Sequence, residues 1–185
     1  MRLFIGWPLP LEQKAALEVR IETLRSALPA SWARPEALHL TLLFLGETDS
    51  GRVPRLIEAL GALSERAALG VALAGAGFFP SAKRPRVAWI GVEPVTPIRD
   101  LAHAVHAAAG AAPGEKEFHP HLTLARIRGS WRSSEVGRFE RALAGVRLEG
   151  ILDRIVLFES RLSRGGAQHV PLHEVRLDPG AQSRS

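Results

Sequence analysis

The tetrapeptide His-Leu-Thr-Leu occurs twice in this chain of 185 residues, at positions 39–42 and 121–124, so that the two copies lie 82 positions apart. Each copy lies in a short apolar run bounded by proline or glycine, a pattern typical of a buried β-strand. Side chains at positions i and i+2 of a strand point to the same face. The histidine and threonine of each copy are therefore predicted to project together, while the two leucines anchor the opposite face in a core.

The predicted elements around the two copies follow the same order. A strand, a helix, the His-Thr strand, a second helix and another strand are predicted over residues 2–79, and the same series is predicted over residues 87–162. One offset shared by several features indicates an internal duplication. We therefore expect a single α+β domain of duplicated halves, at about 1–80 and 86–177. Its two pseudo-symmetric lobes of antiparallel sheet, backed by helices, would place both His-Thr motifs in a central cleft.

Other boundaries follow from periodicity and turn residues. Apolar residues at helical spacing predict a helix over residues 53–68, and Pro35 predicts that residues 32–36 form a connection. Residues 151–162 and 170–177 are predicted as two antiparallel strands. Irregular structure is predicted in three places: a loop over residues 110–117, a turn at residues 165–166 and a loose tail after Pro179.

The composition excludes several classes of function. The chain contains no cysteine, which excludes disulfides, thiol catalysis and cysteine-ligated metals. No apolar run reaches the length of a membrane span and the N-terminus lacks a signal-peptide pattern, so we expect a cytoplasmic protein that does not bind membranes. A monomer is expected, but the sequence does not fix the oligomeric state. The formal net charge of +5 and the predominance of arginine over lysine fit a polyanionic partner such as nucleic acid. Genome composition explains the arginine content equally well.

A histidine beside a hydroxyl, presented twice, suits acid–base chemistry on a phosphate. Histidine has an ordinary pKa near ~6.5, so one histidine of a facing pair can serve as the base and the other as the acid. Threonine hydroxyls can donate to phosphate oxygens, and Arg126 is a candidate charged donor three residues after Thr123. The substrate that uses these groups without a metal is a phosphodiester, particularly a strained cyclic one. His119-x-His121 is an alternative metal pair, although it lacks acidic ligands nearby.

Four segments carry a family resemblance. They are residues 2–5 (RLFI), 35–47 (PEALHLTLLFLGE), 84–89 (RPRVAW) and 118–126 (FHPHLTLAR). In these segments the chain resembles the 2H phosphoesterase superfamily, in which paired His-x-Thr/Ser-x motifs line one cleft. It is most similar to the RNA 2′,3′-cyclic phosphodiesterases of that superfamily, also named 2′-5′ RNA ligases. The resemblance covers most of the chain and weakens after about Gly129.

The resemblance implies a role for each residue of the two motifs. It implies that His39 donates a proton to the leaving 3′ oxygen and that His121 accepts a proton from water, giving a 2′-phosphate end. Thr41 and Thr123 are implied to bind the phosphate, RNA or nucleotides with 2′,3′-cyclic phosphate ends are the implied substrates, and no metal or cofactor is needed. Two alternatives stay open: 2′-5′ ligation of RNA as the main reaction, and a non-catalytic module that binds RNA ends.

The resemblance leaves the contact to the nucleobase unassigned. Relatives are expected to carry an aromatic residue near the last strand, where this chain has Gln168-His169, and the chain contains no tyrosine. Aromatic rings stack on bases, and the candidates are Phe79, Phe118 and His169. The basic loop of residues 79–86, which contains Lys83, Arg84 and Arg86, is a candidate contact for an RNA backbone.

Overall fold

The computed structural model of the protein describes residues 1–112, 117–163 and 166–180. Within these residues it contains nine β-strands and four α-helices, which confirms the predicted α+β class. The strands are β1 (Arg2–Pro8), β2 (Ala30–Trp32), β3 (His39–Glu47), β4 (Leu69–Phe79), β5 (Val87–Glu93), β6 (His121–Ile127), β7 (Arg147–Leu152), β8 (Arg154–Ser163) and β9 (Gly166–Arg176). The helices are α1 (Leu11–Ala27), α2 (Val53–Gly61), α3 (Val95–Ala108) and α4 (Ser133–Leu143). In the described ranges, none of the helices combines the length and the apolar character needed to cross a membrane.

The strands form one antiparallel sheet in the order β7-β4-β5-β6-β3-β1-β8-β9, and the short strand β2 pairs with β6. The two His-Thr strands, β3 and β6, lie side by side in the middle of this order. Their pairing is limited to Leu40 opposite Leu122. This narrow junction divides the described sheet into two lobes, one of four strands and one of five when β2 is counted, which confirms the predicted arrangement of two lobes around the two motifs.

The two lobes do not coincide with the two predicted sequence halves. β4 lies in the first half of the chain but pairs with β5 and β7 of the second half. β8 lies in the second half but pairs with β1. Strands therefore cross between the lobes, so that neither half completes its own sheet without the other. The duplication of halves at 1–80 and 86–177 stays a prediction.

The leucines of the two motifs lie in the hydrophobic core. Leu40 and Leu122 are fully buried, and Leu42 and Leu124 are at most 1% exposed. Helices α1 and α3 pack buried leucine and isoleucine side chains into the same core cluster. Each fully buried leucine stabilises the fold by roughly 1.5–3 kcal/mol relative to an exposed one, so the core holds the histidines and threonines on the opposite face of the strands.

Two predictions near the N-terminal half were wrong in their bounds. The helix predicted over residues 53–68 ends at Gly61 and continues as a 3₁₀ turn, Ala62–Glu65. The chain then turns into extended pairing because the Ala68 amide donates to the Asp178 carbonyl at 2.7 Å. The connection predicted over residues 32–36 begins instead with the end of strand β2, because β2 pairs with β6. The connection also contains the start of the 3₁₀ turn Pro35–Ala37.

The strand predicted over residues 151–162 was also wrong, because it is two strands separated at Asp153. β7 pairs with β4 in one lobe and β8 pairs with β1 in the other, so the chain passes from one lobe to the other at this residue. The pairing of the last two strands, β8 with β9, is antiparallel as predicted. The predicted loop at 110–117 and turn at 165–166 lie partly outside the described residues, and residues 181–185 lie outside them.

Candidate functional site

The register of the two central strands brings the His-Thr motifs together. With Leu40 opposite Leu122, the antiparallel register extended by one residue each way places His39 opposite Thr123 and Thr41 opposite His121. All four side chains project from the face that is opposite to the buried leucines. A cleft of about 810 Å³ lies on this face, and His39, Thr41 and Thr123 line it. This confirms that one central cleft carries residues of both motifs. His121 is not among the lining residues and lies against Phe79.

Each imidazole is oriented by the same backbone hydrogen bond. Nδ1 of His39 lies 2.6 Å from the carbonyl oxygen of Ala37, and Nδ1 of His121 lies 2.7 Å from the carbonyl oxygen of His119. Because a carbonyl only accepts, Nδ1–H is the donor in both cases, which fixes the tautomer of the neutral ring. Nε2 of each ring is therefore the atom that can take up or release a proton.

Burial makes both histidines weaker bases than free histidine. It is the main cause that lowers the pKa of His39 to about 4, opposed by the hydrogen bond to the Ala37 carbonyl and assisted by the neighbouring His169. Burial also lowers the pKa of His121, again opposed by the hydrogen bond to a carbonyl. Both rings are therefore mainly neutral at pH 7 in the free protein. A phosphate anion in the cleft would favour their protonated forms, since a nearby negative charge raises the pKa of histidine.

Aromatic rings form the wall of the cleft behind His39. The ring centroid of Phe4 lies 4.7 Å from that of His39, and Phe4 in turn stacks on Phe158 at 5.0 Å. His169, on β9, meets His39 edge-on at 4.9 Å and also lines the cleft. Among the described residues, the buried Nδ1 of His169 has no hydrogen-bond partner.

A different set of rings surrounds His121. Phe79 meets His121 edge-on at 4.8 Å, and Trp89 lies 5.9 Å from it. The indole of Trp89 lies across Gly77 on the neighbouring strand β4, where the Cβ of any other residue would clash with the ring. Glycine is therefore required at position 77 for this side of the wall to form. His119 packs against Trp89 at 4.8 Å and is exposed.

A β-bulge follows the threonine in both strands. Between Thr41 and Leu43, β3 has one residue more than its partner β1, and β6 has one more than β5 between Thr123 and Ala125. A bulge shifts the alternation of faces by one position. Phe44 and Arg126, each three residues after a threonine, therefore return to the cleft face and line it.

The bulge explains why Arg126 lies in the cleft although it is three positions after Thr123. Phe44 is a candidate functional residue that sequence reasoning missed. It is 60% exposed, which is unusual for a phenylalanine. The offset of 82 positions, which aligns Phe44 with Arg126, is the signal that could have found it.

The lining of the cleft is positively charged. Its lining includes the side chains of Arg2, Arg34, Arg126 and Arg128 and no aspartate or glutamate from the described part of the chain. Arg2 lies 3.4 Å from Glu47. The other three arginines make no ion pair with any described residue. Such a lining suits a phosphate-containing ligand, because guanidinium groups match the geometry of phosphate oxygens.

The remaining candidates lie in different places. Of the proposed stacking residues, only His169 is part of the cleft lining, whereas Phe79 packs beside His121 and Phe118 packs against the core. Lys83, Arg84 and Arg86 are exposed outside the cleft lining, and Arg86 donates to the carbonyl of Gly129 at 3.2 Å. In the described ranges, no group of three or more histidine, aspartate or glutamate side chains is placed to hold a metal ion.

Comparisons with known proteins agree on one family. A family model described as LigT like Phosphoesterase matches residues 8–89 and 90–168, and each segment contains one His-Thr motif. The RNA 2′,3′-cyclic phosphodiesterase of Aeropyrum pernix is 32% identical over 164 residues, which cover 85% of this chain and 92% of that protein. The enzyme of the same name from Aquifex aeolicus is 32% identical over 184 residues, which cover 96% of this chain and 97% of that protein. The crystal structure of TT0787 of Thermus thermophilus is 30% identical and has a TM-score of 0.79, with 96% of this chain and 98% of that chain covered.

Proposed function

The chain belongs to the LigT-like phosphoesterases, and we propose that it hydrolyses the 2′,3′-cyclic phosphate ends of RNA or nucleotides to 2′-phosphomonoesters. The observation that carries the proposal is the paired register of the central strands, which sets each histidine opposite the threonine of the other motif. The names of the relatives from Aeropyrum pernix and Aquifex aeolicus support the class of substrate. The cleft with unpaired arginines supports a phosphate as the group that is bound.

The reaction needs two proton transfers, one on each side of the phosphorus. Nε2 of His121 takes a proton from water while the water oxygen forms a bond to phosphorus. The bond between phosphorus and the 3′ oxygen breaks, and Nε2–H of His39 gives its proton to that oxygen. The product is a 2′-phosphate with a free 3′-hydroxyl, and the two histidines return to their starting states by exchanging protons with solvent. Each positioned acid or base is typically worth ~10²–10⁴-fold in rate.

The phosphate oxygens are held by Thr41, Thr123 and Arg126 in this proposal. Hydroxyl and guanidinium donors aimed at the reacting phosphate stabilise the charge that develops in the transition state. Phe44 lies on the other strand at the position that corresponds to Arg126, and its exposed ring is proposed to stack on the nucleobase. His169 is the alternative stacking residue, since it also lines the cleft.

The lowered pKa of His39 determines how the acid works. A pKa of about 4 leaves roughly one molecule in 10³ with a protonated His39 at pH 7 in the free protein. The substrate phosphate carries a negative charge, so its binding raises the pKa of the ring that it contacts. His39 is then the proposed acid, protonated mainly in the complex, and His121, whose hydrogen bond to the backbone is more exposed, is the proposed base.

No metal or cofactor takes part in this proposal. The histidines provide the acid and the base, and the threonines and Arg126 provide the charge stabilisation that a metal supplies in other phosphodiesterases. A chelator is therefore expected to leave the rate unchanged. A complete loss of activity that added metal restores would contradict this part of the proposal. We also propose that the protein acts as a monomer, since one chain supplies both halves of the cleft. The cytoplasmic location stays a prediction from the sequence.

The test is hydrolysis of a nucleoside 2′,3′-cyclic phosphate with the product isomer identified. Wild type is expected to release the 2′-phosphate, and His39→Ala and His121→Ala are each expected to lower kcat by ~10²–10⁴-fold. His103→Ala is the matched control, because His103 is an exposed histidine on α3 outside the cleft. Turnover that persists in both cleft variants would show that the chemistry occurs elsewhere.

The same assay separates the two alternative functions. If a 5′-hydroxyl RNA is supplied with the cyclic end, joined product would show 2′-5′ ligation by the reverse of the proposed reaction. A well-folded wild type that binds the cyclic end but releases no product would indicate a binding module. Catalytic amounts of protein must be used, so that product in excess of protein demonstrates turnover.

A further inference from the structure

The cleft extends beyond the two motifs along a segment that we name the β2 arm, residues 30–34. Strand β2 pairs with the end of β6, with Ser31 opposite Arg126 and Trp32 opposite Ala125. The Ala33 amide donates to the Leu124 carbonyl at 2.8 Å, which continues this pairing toward the threonine of the motif. The arm therefore lies next to the part of β6 that leads away from the reacting phosphate.

The β2 arm is held in place from behind. The indole of Trp32 donates to the Leu28 carbonyl at 3.3 Å, and the guanidinium of Arg25 donates to the Ala33 carbonyl at 2.8 Å. Arg25 also lies over the ring of Trp32, 5.7 Å from its centroid, and is paired with Glu18. A surface fixed in this way binds with a smaller loss of conformational entropy than a mobile loop does.

Two arginines follow one another on the cleft side of this segment. Because the bulge precedes them, Arg126 and Arg128 both lie on the cleft face and line it. Nε of Arg128 donates to the hydroxyl of Ser31 at 2.9 Å, which orients the guanidinium and leaves its terminal nitrogens free for a ligand. In the described residues, no carboxylate pairs with Arg128, whereas surface arginines such as Arg147 and Arg161 do have acidic partners.

The spacing of the two arginines suits two neighbouring phosphates. Residues two positions apart on a strand are separated by about 7 Å, which is comparable with the distance between successive phosphates of a nucleic acid strand. Because of the bulge, Arg128 lies about four strand steps beyond Thr123, roughly 13 Å, so the two residues suit two different phosphates. A 2′,3′-cyclic phosphate is always the 3′ end of its chain, so the next phosphate lies on the 5′ side.

We propose that Arg128, oriented by Ser31 on the β2 arm, forms a second phosphate subsite that binds the phosphate on the 5′ side of the cyclic end. The subsite makes the protein selective for oligonucleotides over mononucleotides. This inference rests on the proposed function and adds the length of the substrate to it.

The experiment compares two substrates: a nucleoside 2′,3′-cyclic phosphate and an RNA trinucleotide with the same cyclic end. Wild type is expected to have the higher kcat/KM for the trinucleotide. Arg128→Ala is expected to lower kcat/KM for the trinucleotide by about tenfold, mainly through KM. The value of kcat/KM for the mononucleotide is expected to stay the same. The dependence of log KM on log salt for the trinucleotide should weaken by about 0.7 in this variant, as expected for the loss of one phosphate contact.

Three further variants keep the test specific. Arg20→Ala removes the same charge from an exposed position on α1 outside the cleft, and it should leave kcat/KM for both substrates unchanged. Arg128→Lys should retain part of the preference, because lysine still provides the charge but not the planar fork. Ser31→Ala should give a smaller loss in the same direction, because it removes only the group that orients Arg128.

Three outcomes would overturn the proposal: a wild type without preference for the trinucleotide, an Arg128→Ala variant that retains the preference, or one that loses the same factor on both substrates. A protein that turns over neither substrate contradicts the proposed function itself. Turnover of the mononucleotide alone supports the function and contradicts only the second subsite.

Discussion

The β3 half and the β6 half of the cleft share one framework and differ in what surrounds it. Both strands have a bulge one residue after the threonine, and both imidazoles donate from Nδ1 to the carbonyl two residues earlier. On the β3 side, His39 lies deeper and meets a second titratable ring, His169. On the β6 side, His121 is more open, and Arg126 occupies the position that Phe44 has on β3.

The features that the two halves share and the features in which they differ correspond to different parts of the proposed reaction. In the proposed reaction, the shared backbone features fix the position of the two proton-transfer atoms and the two hydroxyls. The differences match the two unlike parts of the proposed substrate, the base and the phosphate. An exposed aromatic ring on β3 suits a base, and an arginine on β6 suits a phosphate. The deeper histidine, His39, has its pKa lowered to about 4, mainly by burial.

After the two histidine variants, the largest effect on the shared framework is expected from the threonines. Thr41→Val and Thr123→Val should each lower kcat by about 10²-fold, because each removes one donor to the reacting phosphate. Valine has the shape of threonine and suits a strand, so the fold should be retained. Thr41→Ser and Thr123→Ser keep the hydroxyl and serve as controls. Unequal losses would show that the two halves do not hold the phosphate alike, and unchanged rates in the valine variants would contradict the assignment.

A smaller effect is expected where the two halves differ. Phe44→Ala should lower kcat/KM by about tenfold, to a degree that depends on the base of the nucleotide, because stacking is worth roughly 1–3 kcal/mol per base. Arg126→Ala should lower kcat/KM by a similar or larger factor that is the same for every base. The measurement is kcat/KM for four nucleoside 2′,3′-cyclic phosphates.

The controls for this pair retain one property each. Phe44→Trp keeps a ring that can stack, and Arg126→Lys keeps the charge. If Phe44→Ala affected all bases equally, the ring would have a packing role rather than a contact to the base. If the loss in Arg126→Ala varied with the base, the guanidinium would contact the base and not the phosphate.

The position of the His-Thr pairs was predictable because the alternation of a strand is local. His39 and Thr41 lie on one face whatever the strand pairs with, and the same holds for His121 and Thr123. The course of the chain after Leu152 was not predictable in this way. The apolar pattern runs on through Asp153, whereas the partners of β7 and β8 lie in opposite lobes. Only long-range pairing ends one strand and begins the next.

Phe44 and the orientation of Arg126 show the same limit at the site. Strict alternation after the motifs would have placed Leu43 and Ala125 in the cleft, and both are buried in the core instead. The bulges that shift the alternation exist only in relation to the neighbouring strands β1 and β5. A one-residue shift exchanges the two faces of a strand, so a local pattern cannot locate the side chains beyond a bulge.

The smallest expected effect on kcat/KM comes from the histidines next to His39 and His121. Removing them should change kcat/KM in opposite directions in the two halves. His169 lowers the pKa of His39, and His119 lowers the pKa of His121, in each case less than burial does. His169→Phe keeps an aromatic edge against His39 and removes the charge, so the pKa of His39 should rise. Burial also lowers the pKa of His169, so this ring carries a charge only at acidic pH. In that range more of the proposed acid is protonated in the variant, and kcat/KM below about pH 6 should increase a few-fold.

His119→Phe is the matched variant on the other side. It should raise the pKa of His121, so that less of this residue, the proposed base, is in the neutral form at acidic pH. The expected result is a lower kcat/KM below about pH 6 and no gain at neutral pH. NMR titration of the imidazoles would establish that both pKa values moved upward. If both shifts are observed, a lower kcat/KM in His169→Phe together with a higher kcat/KM in His119→Phe would contradict the assigned roles. It would indicate that His121 is the acid and His39 is the base.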